Sequence, residues 1–201
     1  ARLRARGHSC RVALVGYPGD LTQAEIEDQA RYFGVRDQIE FYQQIGPAQV
    51  ASLLSRSRMH LLWSRREGLN RATIEALFAD TPVILRAGFN YGHPYSYVND
   101  MTGRFVNETD LPDTVLEIVA DHKGFYPRDW AMEHLTCQRA TRILEDEIRR
   151  KALEMGERWT EGLVAKSVTL NTQRYWDPLD QYRFDADYAF LHSQIRPACH
   201  G

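Results

Sequence analysis

The chain has 201 residues, of which 43% are hydrophobic and 26% are charged, a composition typical of a soluble globular protein and contrary to global disorder. A formal net charge of -2 gives no support to general nucleic-acid binding. No apolar run approaches the ~20 residues that span a bilayer, and no signal peptide is recognisable. We therefore expect a cytoplasmic protein without a membrane span, and peripheral association with the inner membrane surface stays open.

The cysteines indicate free thiols rather than disulfides or a metal site. Cys10, Cys137 and Cys199 lie far apart, and no pair has the spacing of metal ligands. A sparse, odd set of cysteines is typical of a reducing compartment.

Short apolar runs alternate with helical patterns along the first part of the chain. The sequence predicts strands over Arg11–Gly16, Gln38–Tyr42, Met59–Trp63, Pro82–Leu85 and Gly103–Val106. It predicts helices over Leu21–Phe33, Gly46–Ser57, Asn70–Ala79 and Leu111–His122. This alternation indicates right-handed βαβ units and an α/β, Rossmann-like fold, in which helices cover both faces of one parallel sheet.

The character of the sequence changes after about residue 120. Residues 129–159 predict one or two charged helices, and residues 167–201 form an aromatic, polar tail that needs an apolar surface. We therefore expect a domain over residues 1–120 and a C-terminal helical extension with a tail over residues 121–201.

Ligands of such sheets bind outside the carboxyl ends of the strands, so the turns after the first three strands are candidate sites. Asn70 is a helix N-cap residue type, and the helix start that follows it favours an anion. Glu67 stands at the mouth of this turn, and Gly68 allows close approach of the backbone.

Glu75 lies between Ile74 and Ala76 inside the same predicted helix. Such a carboxylate must be solvated, paired or used, because burying it bare costs several kcal/mol. An ion pair with Arg71 and a ligand role are both open at this point. A carboxylate accepts from two vicinal hydroxyls, which suits a ribose or a hexose. An anion site between two carboxylates suits a sugar joined to a nucleotide through a diphosphate.

Four segments of this sequence resemble one enzyme family. They are S64-R-R-E-G-L-N-R-A-T-I-E-A-L-F-A-D-T-P-V-I84, R11-V-A-L-V-G-Y-P-G-D20, G34-V-R-D-Q-I-E-F-Y-Q-Q-I45 and T102-G-R-F-V106. In order and spacing they resemble the donor-binding C-terminal domain of retaining group 1 (glycogen-synthase-like) glycosyltransferases of the GT-B fold. The resemblance covers residues 10–120, and the Glu67-x7-Glu75 pair alone is a weaker signal.

The resemblance implies a role for each matching position. It implies that Glu67 is the catalytic residue that faces the hydroxyls of the donor sugar, and that Glu75 holds the ribose. It also implies that Gly16 lies near the nucleotide and that Gln44 and Ile45 contact the base. It implies that the amides of Gly68, Leu69 and Asn70 receive the sugar and the diphosphate. The family's Arg/Lys pair for the diphosphate has no counterpart here, and we expect Arg71 to supply part of that charge.

The implied reaction is retaining transfer of a hexose from a nucleotide diphosphate sugar to a hydroxyl of a glycan or small-molecule acceptor, without cofactor or metal. The family's first donor-domain strand and its N-terminal acceptor domain have no counterpart in this sequence, so we expect a fragment whose other half is supplied elsewhere. The alternative is a non-catalytic Rossmann-like module that binds a nucleotide or a protein.

Several further positions bear on the resemblance and on the site. The family usually has glycine where Gln43 and Asp80 stand. His93 and Tyr95, in the loop after the fourth strand, border the site in one interpretation, but ordinary surface positions are favoured. The run Asp185-Ala186-Asp187 matches a metal-nucleotide motif of a different glycosyltransferase fold, yet it arises often by chance and predicts no metal site here.

Overall fold

The structure is a computed structural model that describes residues 1–16, 21–64, 66–88, 92, 94–159, 162–169 and 172–195. The chain divides into two compact units, Ala1–Met132 and Glu133–Gly201. The first unit extends past residue 120 because Phe125 is buried and the N–H of Tyr126 donates to the carbonyl of Met101 (2.8 Å).

The first unit contains the predicted alternation of strands and helices, which confirms the α/β class. Its strands are β1 Val12–Gly16, β2 Ile39–Gln43, β3 His60–Leu62, β4 Val83–Arg86 and β5 Gly103–Val106. Its helices are α1 Arg2–Ala5, α2 Gln23–Tyr32, α3 Pro47–Arg56, α4 Arg71–Phe78 and α5 Leu111–Ala120, followed by α6 Pro127–His134, which crosses into the second unit.

The strands form two parallel sheets instead of the single sheet that the sequence predicts. β1 pairs with β2, and β3, β4 and β5 form a second ladder in that order. Within the described residues no ladder joins the two sheets. Burial differs accordingly, since the first three residues of β4 are buried while all five residues of β1 are exposed. The prediction that each strand is buried on both faces of the sheet therefore holds for β4 and is wrong for β1. An apolar run shows only that a strand can be buried, not that it is.

The three-stranded sheet carries the main core. Ile84, Val106, Ile118 and Phe125 pack together there. Partly buried side chains surround this cluster: Met59, Trp63, Leu111 and Val115. The turn after β3 and the loop after β4 both leave this sheet from the carboxyl ends of its strands.

Three arginines at the start of the chain, Arg2, Arg4 and Arg6, lie on or next to α1 and make ion pairs on the surface. Arg4 pairs with Asp37 and Arg6 with Asp113. These side chains are largely exposed, and such pairs contribute about 0–1 kcal/mol each. Ion pairing at the protein surface therefore accounts for these arginines.

The second unit contains α7 Cys137–Glu154, an antiparallel hairpin of β6 Lys166–Thr169 and β7 Thr172–Tyr175, and α8 Asp185–Gln194. Asp185 and Asp187 lie in the first turn of α8, where carboxylates are favoured by the helix dipole. No cluster of three metal-ligating side chains occurs among the described residues. None of the described helices has the length and apolar character to cross a membrane. Cys10 and Cys137 are free thiols, and Cys199 lies outside the described residues.

Candidate active site

The start of α4 has the capped geometry that the sequence predicts. The backbone of Asn70 is extended, and its Oδ1 accepts from the N–H of Thr73 (2.9 Å) and from the Thr73 hydroxyl (3.0 Å). Within the part of the chain that the structure describes, the N–H groups of Arg71 and Ala72 have no acceptor. Unfilled N–H groups at a helix start carry partial positive charge and favour an anion.

Glu67 lies three residues before this cap and is half-buried. Among the described residues its carboxylate has no hydrogen-bond or ion-pair partner. A half-buried carboxylate in this place can accept hydrogen bonds from a ligand that donates them.

Gly68 and Leu69 leave the backbone between Glu67 and Asn70 open to solvent. Both are exposed, and a Cβ built on Gly68 meets nothing within 4 Å. The Gly68 carbonyl accepts a hydrogen bond from the hydroxyl of Tyr95, which turns this carbonyl toward the protein. The predicted role of Gly68 therefore does not rest on backbone strain but on the open space around it.

The side chain of Glu75 is exposed to solvent. Thr73, Ala76 and Leu77 form the buried stripe of α4, and Glu75 lies on the opposite side of the helix. Of the outcomes left open for this carboxylate, solvation is therefore the one observed, since its apolar neighbours in sequence point elsewhere on the helix. None of the ion pairs among the described residues joins Glu75 to Arg71, so that alternative is not observed.

The loop after β4 brings two tyrosines against the Glu67 turn. Tyr95 and Tyr97 are each 4% exposed, so the expectation of a surface position for Tyr95 is wrong. Burial, and after it the neighbouring Tyr95 hydroxyl and the nearby Glu67 carboxylate, raise the pKa of Tyr97. The sequence signal for these two residues was their place in a loop at the carboxyl edge of the sheet. His93 lies outside the described residues.

A family model described as glycosyl transferases group 1 matches residues 1–124. This chain belongs to the group 1 glycosyltransferase family. No curated protein sequence matches it.

Two solved structures resemble this group 1 glycosyltransferase chain. Sucrose-phosphate synthase (tll1590) from Thermosynechococcus elongatus is 22% identical, with 72% of this chain and 39% of that chain covered and a TM-score of 0.56. AviGT4, a glycosyltransferase involved in avilamycin A biosynthesis, is 20% identical, with 75% and 45% covered and a TM-score of 0.50. At these identities the likeness establishes the fold, that of a GT-B glycosyltransferase domain. The chain spans less than half the length of either structure.

Two of the positions predicted to lie near the nucleotide are at the carboxyl end of the β1–β2 ladder in this glycosyltransferase domain. They are Gly16 and Gln44. Gly16 pairs with Gln43 at the end of the β1–β2 ladder, and the next residue, Gln44, has a left-handed backbone (φ 53°). Gln44 is exposed, Ile45 is half-buried, and residues 17–20 lie outside the described part. Within the described residues, no hydrogen bond or ion pair joins this group to the Glu67 turn.

One cation at the strand ends was not identified from the sequence. Arg86 ends β4, and its guanidinium lies 5.5 Å from the ring centroid of Trp63, just beyond β3. It also lies 3.8 Å from the carboxylate of Glu108. A cation held against an aromatic ring is fixed in place. The only sequence signal was an arginine directly after the apolar run of β4.

Proposed function

We propose that this chain binds the donor in a glycosyltransferase that moves a hexosyl unit from a nucleotide diphosphate sugar to an acceptor hydroxyl with retention of configuration. One observation carries the proposal: a half-buried Glu67 carboxylate without a partner among the described residues lies directly before a helix start with unfilled N–H groups. Membership of the group 1 family supports it.

Glu67 supplies the sugar contact. Its carboxylate accepts from two neighbouring hydroxyls at once, and a bound hexose replaces the water that the position has partly lost. As the bond to the diphosphate breaks, positive charge grows on the sugar ring, and a fixed carboxylate close to that ring stabilises it. This is the catalytic role that we assign to Glu67.

The start of α4 receives the diphosphate. The N–H groups of Arg71 and Ala72 have no acceptor among the described residues, and the exposed backbone at Gly68 and Leu69 allows close approach. Asn70, which caps the helix, completes this part of the site. Negative charge develops on the departing diphosphate, so preorganised N–H dipoles stabilise the transition state more than the bound donor. Arg71, which is exposed, adds a positive charge at the same helix end.

Glu75, Gly16, Gln44 and Ile45 complete the donor site in this proposal. Solvent exposure of Glu75 leaves its carboxylate free to accept from the two ribose hydroxyls, while the β1–β2 edge contacts the base. The acceptor, a glycan or a small molecule, binds to a domain supplied by another part of the enzyme. We place the enzyme in the cytoplasm, which the free thiols Cys10 and Cys137 support.

Calorimetric titration of the chain with UDP-, GDP- and ADP-glucose, and with the free nucleotides, tests the proposal. We expect Glu67→Gln to weaken binding of the nucleotide sugar about tenfold and to leave the free nucleotide unaffected, because only the sugar meets Glu67. We expect Glu75→Gln to weaken both. Glu117→Gln, the same change at an exposed position of α5, is the matched control.

Two results would contradict the proposal. One is the absence of binding to every nucleotide and nucleotide sugar, and the other is Glu67→Gln and Glu75→Gln titrating like the control. Equal affinity for the free nucleotide and for its nucleotide sugar would favour the alternative of a non-catalytic module.

A further inference from the structure

Two buried tyrosines lie beneath the turn that carries Glu67. The rings of Tyr95 and Tyr97 stack with centroids 4.7 Å apart and an angle of 30° between their planes. The Tyr95 hydroxyl donates to the Gly68 carbonyl, and the backbone carbonyl of Glu67 lies 3.5 Å from the position a Cβ on Gly92 would take. Tyr95 therefore contacts the turn at Gly68, and Gly92 lies close to the Glu67 backbone.

The tyrosine pair is itself anchored to the sheet. The hydroxyl of Thr102, a fully buried residue directly before β5, donates to the Tyr97 carbonyl (2.7 Å). The N–H of Val98 donates to the Tyr95 carbonyl (2.9 Å). These hydrogen bonds, with the short chain segment between them, connect Thr102 next to β5 to the Gly68 carbonyl through the two tyrosines.

Apart from a β-bridge at Arg66, few contacts among the described residues hold the turn. Gly68 and Leu69 are exposed, and the local contact on its other side is the Ser64 hydroxyl donating to the Arg66 carbonyl (3.1 Å). A chain segment of this kind samples many conformations unless a buried group fixes it. Catalysis is sensitive to displacements of about 1 Å in the groups that contact the substrate.

We propose that Tyr95, supported by the stacked ring of Tyr97, is a positioning residue that fixes Glu67 and the following N–H groups in the donor-binding geometry. This inference rests on the proposed function for the identity of the ligand. Tyr95 does not contact the donor in this view; it acts through the Gly68 carbonyl. Residues 94–97, in the loop after β4, then contribute to donor binding and do not only connect two strands.

Tyr95→Phe tests the inference, because it removes only the hydroxyl and keeps the stacked ring. Two readouts are needed. The first is the rate of trypsin cleavage after the exposed Arg66, which reports mobility of the turn without any ligand. The second is the affinity for UDP-, GDP- and ADP-glucose by calorimetry. Tyr175→Phe, which removes a hydroxyl that contacts Tyr188 in the second unit, is the matched control.

We expect Tyr95→Phe to raise cleavage after Arg66 and to weaken binding of the nucleotide sugar, each by about fivefold to tenfold, the effect of one lost hydrogen bond. Tyr175→Phe should change neither. Cleavage after Arg66 at the wild-type rate would overturn the inference, and so would a lowered melting temperature with unchanged donor affinity. If the wild-type chain binds none of the three sugars, the proposed function fails, and the cleavage rate alone still decides whether Tyr95 fixes the turn.

Discussion

The carboxylate of Asp80 accepts a hydrogen bond from the backbone N–H of Arg128 (3.2 Å), which joins the end of α4 to the first turn of α6. Asp80 also has a left-handed backbone (φ 60°), and the N–H of Thr81 after it donates to the carbonyl of Ala76 (2.9 Å). This is the usual helix ending with a left-handed residue, a place where glycine is favoured. Asp80 thus tolerates the backbone and caps a second helix.

Substitutions at Asp80 separate these two roles. We expect Asp80→Asn to be nearly neutral, because asparagine tolerates the left-handed backbone and keeps an oxygen for Arg128. Asp80→Gly should cost about 1 kcal/mol through the lost cap, and Asp80→Ala about 2 kcal/mol because the backbone strain adds to it. Urea unfolding measures the order. Equal stability of the Gly and Ala variants would show that the backbone conformation contributes nothing.

His60 makes stability depend on pH. Burial lowers the pKa of His60 to about 4, and its Nε2 is buried with no hydrogen-bond partner among the described residues. The unfolded chain takes up a proton as the pH falls through about 6.5, and the folded chain does so only near 4. The free energy of unfolding therefore falls between pH 6.5 and 4, by up to about 3 kcal/mol from this residue alone.

Replacing His60 by a side chain without a titratable group isolates this effect. We expect His60→Leu to reduce the loss of stability between pH 7 and pH 4.5, measured by urea unfolding at both values. The control is His192→Gln, a change at an exposed histidine of α8, which should leave the loss as in the wild type. A His60→Leu variant with the same pH dependence as the wild type would assign the acid sensitivity to other groups.

The order of strands and helices was predictable because each depends on a local apolar period. The helix start at Asn70 was predictable for the same reason, since the cap involves residues only three apart. The environment of Glu75 was not, because a helix turns about 100° per residue and sequence neighbours point in different directions. The division of the strands into two sheets and the exposure of β1 depend on which strands pair, and no local pattern specifies that.

Long-range contacts also explain what was missed around the site. Tyr95 donates a hydrogen bond to Gly68, 27 positions earlier in the sequence. Arg86 at the end of β4 pairs with Glu108, which follows β5. The hairpin β6–β7 and α8 in the aromatic tail were not predicted, because aromatic residues signal burial without a clear period. The expectation that this tail covers an apolar surface is not met in the structure, where Trp176, Tyr182 and Phe190 are exposed.

Gly103 is a glycine that packing requires. It pairs with Val83 in the β4–β5 ladder, and a Cβ at this position would lie 2.7 Å from Val83 Cγ2 and 2.8 Å from the Val83 carbonyl carbon. Backbone cannot move away without breaking the ladder, so we expect Gly103→Ala to destabilise the chain by about 3 kcal/mol. The midpoint of urea unfolding measures this. A midpoint at the wild-type value would show that the two strands separate easily.

Asn70→Asp tests the anion site without disturbing the helix. Aspartate is as good an N-cap as asparagine, and its charge suits the helix dipole, so we expect unchanged or slightly higher stability. The same charge repels a diphosphate bound to the neighbouring N–H groups, so donor affinity should fall about tenfold and recover in part at high salt. Calorimetry with UDP-, GDP- and ADP-glucose at two salt concentrations measures this. Unchanged affinity would place the diphosphate elsewhere.

Gly68→Ala is the counterpart of Gly103→Ala, because the same added methyl group meets open space in one case and backbone in the other. A Cβ on Gly68 has no atom within 4 Å, and its backbone is not left-handed, so we expect the free energy of unfolding to change by less than about 0.5 kcal/mol. The methyl group occupies space that a diphosphate needs near the backbone, so affinity for the nucleotide sugar should fall about tenfold. Thermal unfolding and calorimetry measure the two quantities on one sample. Wild-type affinity in a stably folded Gly68→Ala variant would mean that the donor does not approach this backbone.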